Sequence, residues 1–374
     1  MIPATYYHLF YLLLISFLSI LAFAKYPWGA SMQPIIRNER TKFGFDIFLV
    51  VFLIIFFGSR DPYSRVFVDT AAYTLFYERH FGEVFSFDWD AQNLLFDNIF
   101  YYMSNNIKEV VWFYLLISFI YFGSIWYICR RMFPQHCLAS FLVYLAAFST
   151  YSYATNGIKA GAAASFFLMA LALNENKSKL KLLSFVFLVI SMGFHHSMRI
   201  PVAAFIICKI IKKPWIYTAF WVFCFIIAAL HITFFQEFFV GLGEELGDEK
   251  VIGYLSIDED LSDEISFNGF RLDFILYSVV PIIVGWIGVY GRKIESKGYH
   301  FLLNLYTLIN AIWLLCIYAN FTNRIAYLSW LMYPIVLVYP LLRENWGDDR
   351  YVVFKYVAYG HLLFTLFMAF VYYG

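Results

Sequence analysis

Four cationic side chains occupy the first turn of predicted apolar helices, where a positive charge is unfavourable. Lys159, Arg199, Arg271 and Arg324 each open a span that we expect to run from outside to inside, and Asn323 is the expected cap before Arg324. A helix N-terminus carries about half a positive charge, so an exposed Lys or Arg there costs roughly 0.3–1 kcal/mol. Helix N–H groups and guanidinium groups together bind phosphate oxygens. The set predicts a phosphate-bearing ligand, whereas snorkelling to lipid phosphate would explain any one member alone.

His195 is the residue whose chemistry best suits proton transfer. It lies beside His196 near the predicted outer end of a span, and in a continuous helix it would share a face with Arg199 at the i, i+4 spacing. The ordinary pKa of histidine, about 6.5, suits either a proton carrier or a phosphate ligand. A buried structural histidine is the alternative interpretation.

A second group of candidates follows the second apolar run. Asp69 and Tyr73 have the i, i+4 spacing of one helix face, and Arg60 and Arg65 lie just upstream. Asp69 either assists deprotonation of a hydroxyl group or pairs with Arg65. Asp273 is a further candidate base at the start of a later span.

Two acidic stretches offer only weak metal-binding patterns. Asp88-Trp89-Asp90 is a carboxylate pair in an acidic segment, and a solvated surface explains it more simply. The run from Glu244 to Asp260 lacks the alternating oxygen ligands, glycine turn and terminal Glu of a calcium loop. We therefore predict no metal site and no cofactor.

The composition determines the class of protein that carries these residues. Of the 374 residues, 62% are hydrophobic and only 14% are charged, and the mean hydropathy is +0.67. Soluble domains carry about 25% charged residues, so the chain is predicted to be a polytopic membrane protein. A soluble enzyme, a disordered chain and a secreted disulfide scaffold are excluded. The net charge of +1 indicates no nucleic-acid partner, and the five scattered cysteines are predicted to be buried thiols.

The apolar runs predict an all-α integral membrane protein with about 12 transmembrane helices. A helix needs about 20 apolar residues to cross the hydrocarbon layer, and the sixth and seventh runs are short for a span. The runs extend approximately from Tyr7 to Ala24, Phe45 to Gly58, Val110 to Cys129, Ala139 to Ala154, Ile158 to Leu173, Leu182 to Gly193, Ile200 to Ile211, Trp215 to Phe235, Leu272 to Tyr290, Phe301 to Tyr318, Ile325 to Leu342 and Val352 to Tyr372.

The distribution of charge predicts the orientation of the spans. Most of the 27 Lys and Arg residues fall in the loops after odd-numbered spans, and positively charged loops stay in the cytoplasm. Both termini are therefore expected outside, together with two long loops at residues 59–109 and 236–271. Residues 1–374 are expected to form a single transmembrane domain.

Five short stretches carry a family resemblance that runs from about Phe45 to Arg343. They are Gly58-Ser59-Arg60 through Val68-Asp69-Thr70-Ala71-Ala72-Tyr73, Asn156-Gly157-Ile158-Lys159, Gly193-Phe194-His195-His196-Ser197, Asn268-Gly269-Phe270-Arg271-Leu272-Asp273-Phe274, and Asn323-Arg324-Ile325-Ala326-Tyr327. In their order and predicted placement they resemble the EpsG/Wzy group of bacterial polysaccharide polymerases, within the membrane glycosyltransferases of superfamily C. The chain departs from that pattern at Lys159, where such helices commonly open with Arg. It also has Val-Asp-Thr at 68–70, where Gly-Thr-Asp is more familiar.

The resemblance implies a membrane glycosyltransferase that polymerises undecaprenyl-diphosphate-linked oligosaccharide repeat units for O-antigen, capsule or exopolysaccharide. The enzyme would lie in the bacterial inner membrane with its active site facing the periplasm. Its partners would be the lipid-linked donor and acceptor, membrane lipid and a chain-length regulator. On this interpretation His195 and Asp69 are catalytic. The residues expected to bind the diphosphate or sugars are Arg60, Arg65, Tyr73, Lys159, Arg199, Arg271, Asp273 and Arg324.

Two other functions fit the same residues. A flippase or other transporter of lipid-linked oligosaccharide would also have about a dozen spans, but its cations would line a central cavity at mid-membrane depth. An O-antigen ligase would use the same donor with a lipid A core acceptor. Charge alone does not separate a ligase from a polymerase.

Overall fold

The structure is a computed structural model that describes residues 3–27, 44–174, 180–237, 269–319 and 321–373. Within these ranges all regular structure is helical, which confirms the predicted all-α class. The acidic run from Glu244 to Asp260 and the basic residues Arg37 and Arg40 lie outside the described residues. The helices are α1 (Tyr7–Phe23), α2 (Phe45–Gly58), α3 (Val68–Arg79), α4 (Leu94–Asn106), α5 (Val111–Met132), α6 (Cys137–Leu145), α7 (Phe148–Thr155), α8 (Ile158–Leu173), α9 (Lys181–Phe194), α10 (Arg199–Ile210), α11 (Pro214–Ala229), α12 (Leu272–Gly291), α13 (Lys297–Leu314), α14 (Thr322–Trp330), α15 (Tyr333–Leu342) and α16 (Arg350–Tyr373).

Among the described helices, 5 are long and apolar enough to cross a membrane. They are α1 with the 3-10 turn before it, α5, α12, the continuous pair α14 and α15, and α16. The pair α6 and α7, bent by 73°, is a further candidate, and α2, α8, α9 and α11 are shorter apolar helices. Each predicted apolar run coincides with a helix or a helix pair, but helix length does not confirm the predicted count of about 12 spans.

The segment 59–109, expected to be a long loop, contains the two helices α3 and α4. Tyr77 is fully buried, and its hydroxyl donates to the carbonyl of Met103 over 3.0 Å. The ring of Phe100 lies 5.8 Å from that of Tyr77 and 5.1 Å from that of Phe113 in α5. The segment is therefore a folded helical hairpin that packs on α5.

Contacts divide the chain into two compact units, Met1–Arg199 with Leu341–Gly374, and Ile200–Pro340. In the first unit, Ser184 and Ser191 of α9 donate to carbonyl oxygens of α8, each over 2.7 Å. Such hydrogen bonds join helices where no water competes for the donor. Gly161 of α8 lies so close to α7 that an added Cβ would be 2.7 Å from the carbonyl oxygen of Tyr153. The small residues of α8 thus permit the close approach that brings its N-terminus beside neighbouring helices.

Buried polar side chains join the helices of the second unit. The indole of Trp221 in α11 donates to Oδ1 of Asn310 over 2.7 Å, and the Asn310 amide donates to Oγ of Ser329 over 3.0 Å. The indole of Trp330 donates to Oγ of Ser278 over 2.7 Å. These bonds hold α11 to α13, α13 to α14, and α14 to α12.

In the first unit, two arginine side chains bind the C-terminal ends of helices. Nε of Arg131 donates to the carbonyl of Ala172 near the end of α8 over 2.9 Å, and Arg343 donates to the carbonyl of Met132 at the end of α5 over 3.1 Å. A cation at a helix C-terminus is favourable because that end carries a partial negative charge. The five cysteines are buried free thiols, as predicted.

Candidate functional site

Lys159 lies in the first turn of α8, where Gly157 is the N-cap and contributes no side chain. Its ammonium group lies 2.6 Å from Oδ1 of Asp97, and about a fifth of each side chain is exposed, 21% and 19%. The ammonium nitrogen also lies 5.0 Å from the ring centroid of Phe96 and 5.6 Å from that of Tyr73. The cation is therefore held by a carboxylate and by two aromatic rings.

Asp97 is in turn fixed by Asn93, which precedes α4. The backbone N–H and the side-chain amide of Asn93 donate to Oδ2 of Asp97 over 3.1 Å and 3.3 Å. Oδ1 of Asn93, a residue only 2% exposed, accepts the backbone N–H of His196 over 3.2 Å. We call Tyr73, Asn93, Asp97, Lys159 and His196 the Lys159 cluster.

Sequence reasoning missed Asn93 and Asp97. The available signal was an acidic residue inside the apolar run Leu94–Phe100, at the i, i+4 spacing from an amide residue. The cluster combines side chains of α3, α4 and α8 with the turn after α9. The helices α4 and α9 approach closely at Gly193, where an added Cβ would be 2.7 Å from Leu95.

His195 lies in extended backbone (φ −154°, ψ 124°), followed by a 3-10 turn at His196–Met198. The predicted i, i+4 pairing of His195 with Arg199 in one helix is therefore wrong, because the chain leaves α9 before His195. Nδ1 of His195 accepts the backbone N–H of Ser197 over 3.2 Å and lies 2.7 Å from its hydroxyl. The neutral ring consequently carries its proton on Nε2. The two histidine rings are stacked with centroids 4.7 Å apart.

Arg60 is buried, with 3% of its surface exposed. Nε donates to the hydroxyl of Thr70 over 3.0 Å, and that hydroxyl donates to the carbonyl of Thr155 over 2.9 Å. The guanidinium also lies 4.4 Å from the ring centroid of Tyr114. Burial lowers the pKa of Arg60 to about 10, so the group remains cationic at neutral pH. Its second terminal nitrogen is buried and has no hydrogen-bond partner among the described residues.

Asp69 and Tyr73 share a face of α3, as their spacing predicted. Asp69 is half-buried in the first turn of this helix, while Arg65 is exposed just before it. Tyr73 contacts Lys159 within the cluster.

Arg271, Asp273 and Arg324 belong to the second unit. Arg271 is the N-cap of α12 and binds Asp273 with two nitrogens, at 3.0 Å and 2.5 Å. Its guanidinium also lies 4.0 Å from the ring centroid of Phe274. Arg324 is exposed in the first turn of α14. The prediction that Asn323 caps this helix is wrong, since the N-cap is Phe321 and Asn323 lies inside the first turn.

All four cations occupy helix N-termini, as predicted, and carboxylates of the described chain bind Lys159 and Arg271. The anion beside Lys159 is Asp97, and the anion beside Arg271 is Asp273. Arg199 and Arg324 are exposed at their helix starts. The convergence of all four cations on one diphosphate stays a prediction.

The pair Asp88 and Asp90 has a local structural role. Oδ1 of Asp88 accepts the backbone N–H of Asp90 over 2.9 Å, which closes a tight turn. Within the described ranges, no group of three or more His, Cys, Asp or Glu side chains could hold a metal ion.

The fold and the site define a helical membrane protein with cation and carboxylate pairs at helix N-termini. A family model, described as the EpsG family, matches residues 46–374. The chain therefore belongs to the EpsG family, whose members are polysaccharide-polymerase-like membrane proteins with an associated glycosyltransferase-like activity. No curated protein and no solved structure matches the chain.

Proposed function

We propose that this protein polymerises undecaprenyl-diphosphate-linked oligosaccharide repeat units at the periplasmic face of the inner membrane. Family membership across residues 46–374 supports a polymerase, and the Lys159 cluster is the observation that carries the proposed site. Lys159, the buried guanidinium of Arg60 and the N-terminus of α8 lie in one unit. The hydroxyl of Thr70 accepts from Arg60 and donates to the carbonyl of Thr155, just before α8. Such groups bind phosphate oxygens.

The leaving group of the reaction is a lipid diphosphate. The acceptor hydroxyl oxygen attacks the anomeric carbon, the bond from that carbon to the diphosphate oxygen breaks, and its electron pair stays on the diphosphate. Lys159 and the N-terminus of α8 stabilise this charge, and Nε2–H of His195 donates to a phosphate oxygen. The unpartnered guanidinium nitrogen of Arg60 offers a further donor.

The acceptor hydroxyl must lose its proton as the new bond forms. Asp69 is half-buried in the first turn of α3, on the same face as Tyr73. We assign Asp69 to accept that proton, because the accepting nitrogen of His195 is already bound by Ser197. His195 becomes the base only if the bond to Ser197 opens.

We assign a second set of substrate contacts to Arg271, Asp273 and Arg324. Arg271 and Asp273 already form a bidentate pair, so a diphosphate would share Arg271 with this carboxylate. Arg199 and Arg324 are exposed at their helix starts, where an incoming ligand can reach them.

The decisive experiment uses purified protein and a synthetic undecaprenyl-diphosphate repeat unit. A ladder of products on the lipid diphosphate is expected, and Lys159→Gln should shorten and weaken it. Transfer only to a lipid A core acceptor would instead identify a ligase. Translocation of the substrate across proteoliposomes without any new glycosidic bond would identify a flippase. Asp46→Asn is the control, since it removes the Arg130–Asp46 ion pair and neither residue belongs to the Lys159 cluster.

The proposed orientation needs a separate test. Ser86 and Gln135 are both exposed, and the native cysteines are buried. Ser86→Cys should react with an impermeant thiol reagent in cells with a permeabilised outer membrane. Gln135→Cys should react only after the inner membrane is lysed. The reverse pattern would place the Lys159 cluster in the cytoplasm and refute the periplasmic site.

A further inference from the structure

An exposed aromatic pair lies in the connection between α3 and α4. Trp89 is 78% exposed and Phe87 is 40% exposed, and their ring centroids are 4.6 Å apart at an angle of 55°. An exposed tryptophan beside a second ring presents a large apolar surface, and such surfaces on proteins commonly bind a ligand. Neither ring is used in the proposed chemistry.

Hydrogen bonds from Asn98 hold the backbone beneath these rings. Oδ1 of Asn98 accepts the backbone N–H of Asp88 over 2.8 Å, and the Asn98 amide donates back to the carbonyl of Asp88 over 2.8 Å. The same amide donates to the carbonyl of Leu94 over 2.7 Å, and Asn98 is only 4% exposed. The turn at residues 87–90 is thereby fixed to the helical turn of α4 that carries Asp97, the partner of Lys159. A pre-ordered surface loses little conformational freedom when it binds.

The charge around the rings favours a ligand rich in hydroxyl groups. Glu83, Asp88 and Asp90 are exposed, and the sequence has no Lys or Arg between His80 and Lys108. Carboxylates accept strong hydrogen bonds from hydroxyl groups. They would be repelled by the phosphates of anionic lipid, and membrane-binding segments are instead rich in Lys and Arg. The acidic surroundings therefore argue against an anchor in the lipid headgroup layer.

We propose that residues 87–90 form a sugar-binding platform for the oligosaccharide chain. The apolar C–H face of a pyranose ring packs on Trp89, and the hydroxyls at the ring edge donate to the carboxylate of Asp90. The identification of the ligand as the oligosaccharide chain rests on the proposed function. Because the platform is fixed to α4 beside Asp97, it would hold the growing chain next to the site of transfer.

The test measures binding of a free oligosaccharide by saturation-transfer NMR to the full-length protein in nanodiscs. The probe is the single repeat unit released from the surface polysaccharide of the strain that encodes the protein. Trp89→Ala should raise the Kd about tenfold, the size expected for loss of one aromatic stacking contact. Trp89→Phe should keep most of the affinity. Trp112→Ala is the matched control, since Trp112 is 57% exposed at the start of α5.

Each outcome separates the platform from the proposed function. Unchanged binding by Trp89→Ala, or no binding by the parent at millimolar oligosaccharide, overturns the platform even where the parent polymerises. Binding that depends on Trp89, without polymerisation by the parent, supports the platform and refutes the polymerase. A further outcome is that Trp89→Ala leaves oligosaccharide binding unchanged but reduces the quenching of tryptophan fluorescence by brominated lipid. Trp89 is then an interfacial anchor, and the sugar platform is wrong.

Discussion

The ammonium group of Lys159 lies 2.6 Å from a carboxylate oxygen of Asp97, although 62 residues separate them in the sequence. This contact explains how a cation is tolerated in the first turn of α8, because the carboxylate offsets the positive end of the helix dipole. It also places α4, α8 and the turn after α9 around one charge, since Asp97 is bound by Asn93 and Asn93 accepts from His196.

We expect Lys159 and Asp97 to be energetically coupled. Both side chains are largely buried, so Asp97→Asn or Lys159→Met alone leaves a partly desolvated charge without its partner and should cost about 1–2 kcal/mol of stability. The double variant should be more stable than the sum of the two losses predicts. Thermal unfolding of the four proteins in one detergent measures this coupling. Strictly additive losses would show that the contact contributes nothing.

The helix positions were largely predictable from hydropathy. The predicted runs Phe45 to Gly58 and Ile158 to Leu173 coincide with α2 and α8, because long apolar runs bounded by polar residues have few alternative structures in a membrane. In the segment 59–109, expected to be a long loop, only the shared helix face of Asp69 and Tyr73 was predicted, and the helical hairpin was not. The helices of this hairpin are short and mix polar with aromatic residues, so their stability comes from packing on α5 rather than from an apolar run.

Only those features of the candidate site that depend on a single helix could be predicted from the sequence. The cations at helix starts and the shared face of Asp69 and Tyr73 follow from local spacing. The role of Asp97 depends on the packing of α4 against α8 and α9, which no local pattern encodes. The error at His195 has a local cause, since the helix ends at Phe194 and the backbone becomes extended.

The exposed arginines should show opposite effects on stability and on activity. Arg199→Ala removes an exposed cation from a helix N-terminus and should leave stability unchanged or raise it by a few tenths of a kcal/mol. Arg324→Ala should gain less, because it also loses the contact of the guanidinium with the ring of Phe321, whose centroid lies 4.9 Å away. If both bind the diphosphate, polymer yield should nevertheless fall about tenfold or more, and Arg→Lys should not restore it fully. Lys212→Ala, at an exposed cation after α10, is the control. Normal polymer length and amount from both alanine variants would locate the diphosphate elsewhere.

His136 should make the first unit less stable in mild acid. It is 4% exposed, and Nδ1 lies 2.9 Å from the hydroxyl of Tyr26. Burial lowers the pKa of His136 to about 4, and the charge of Arg350 acts in the same direction. The unfolded chain then binds more protons between pH 4 and about 6.5, so stability is complete above that range and falls as the pH falls through it.

The expected loss on going from pH 7.5 to 4.5 is about 2–3 kcal/mol from this histidine. His136→Gln cannot titrate and should reduce the pH dependence of thermal unfolding by that amount, although its stability at pH 7.5 will be lower. An identical pH dependence in parent and variant would show that His136 is not protonated on unfolding.

We expect Asp69 and His195 to differ in their roles when the acceptor hydroxyl loses its proton. Because Nδ1 of His195 accepts from Ser197, we expect Asp69→Asn to lower turnover by about 10² to 10⁴, the range of general-base assistance. His195→Ala should cost less if the ring only donates to phosphate, and His195→Asn, which keeps a donor, should recover part of that loss. The measurement is turnover with the synthetic lipid-diphosphate substrate at equal concentrations of folded protein, across the pH range. A loss below about tenfold for Asp69→Asn, with a larger one for His195→Ala, would reverse the two roles and require the bond from Ser197 to open during the reaction.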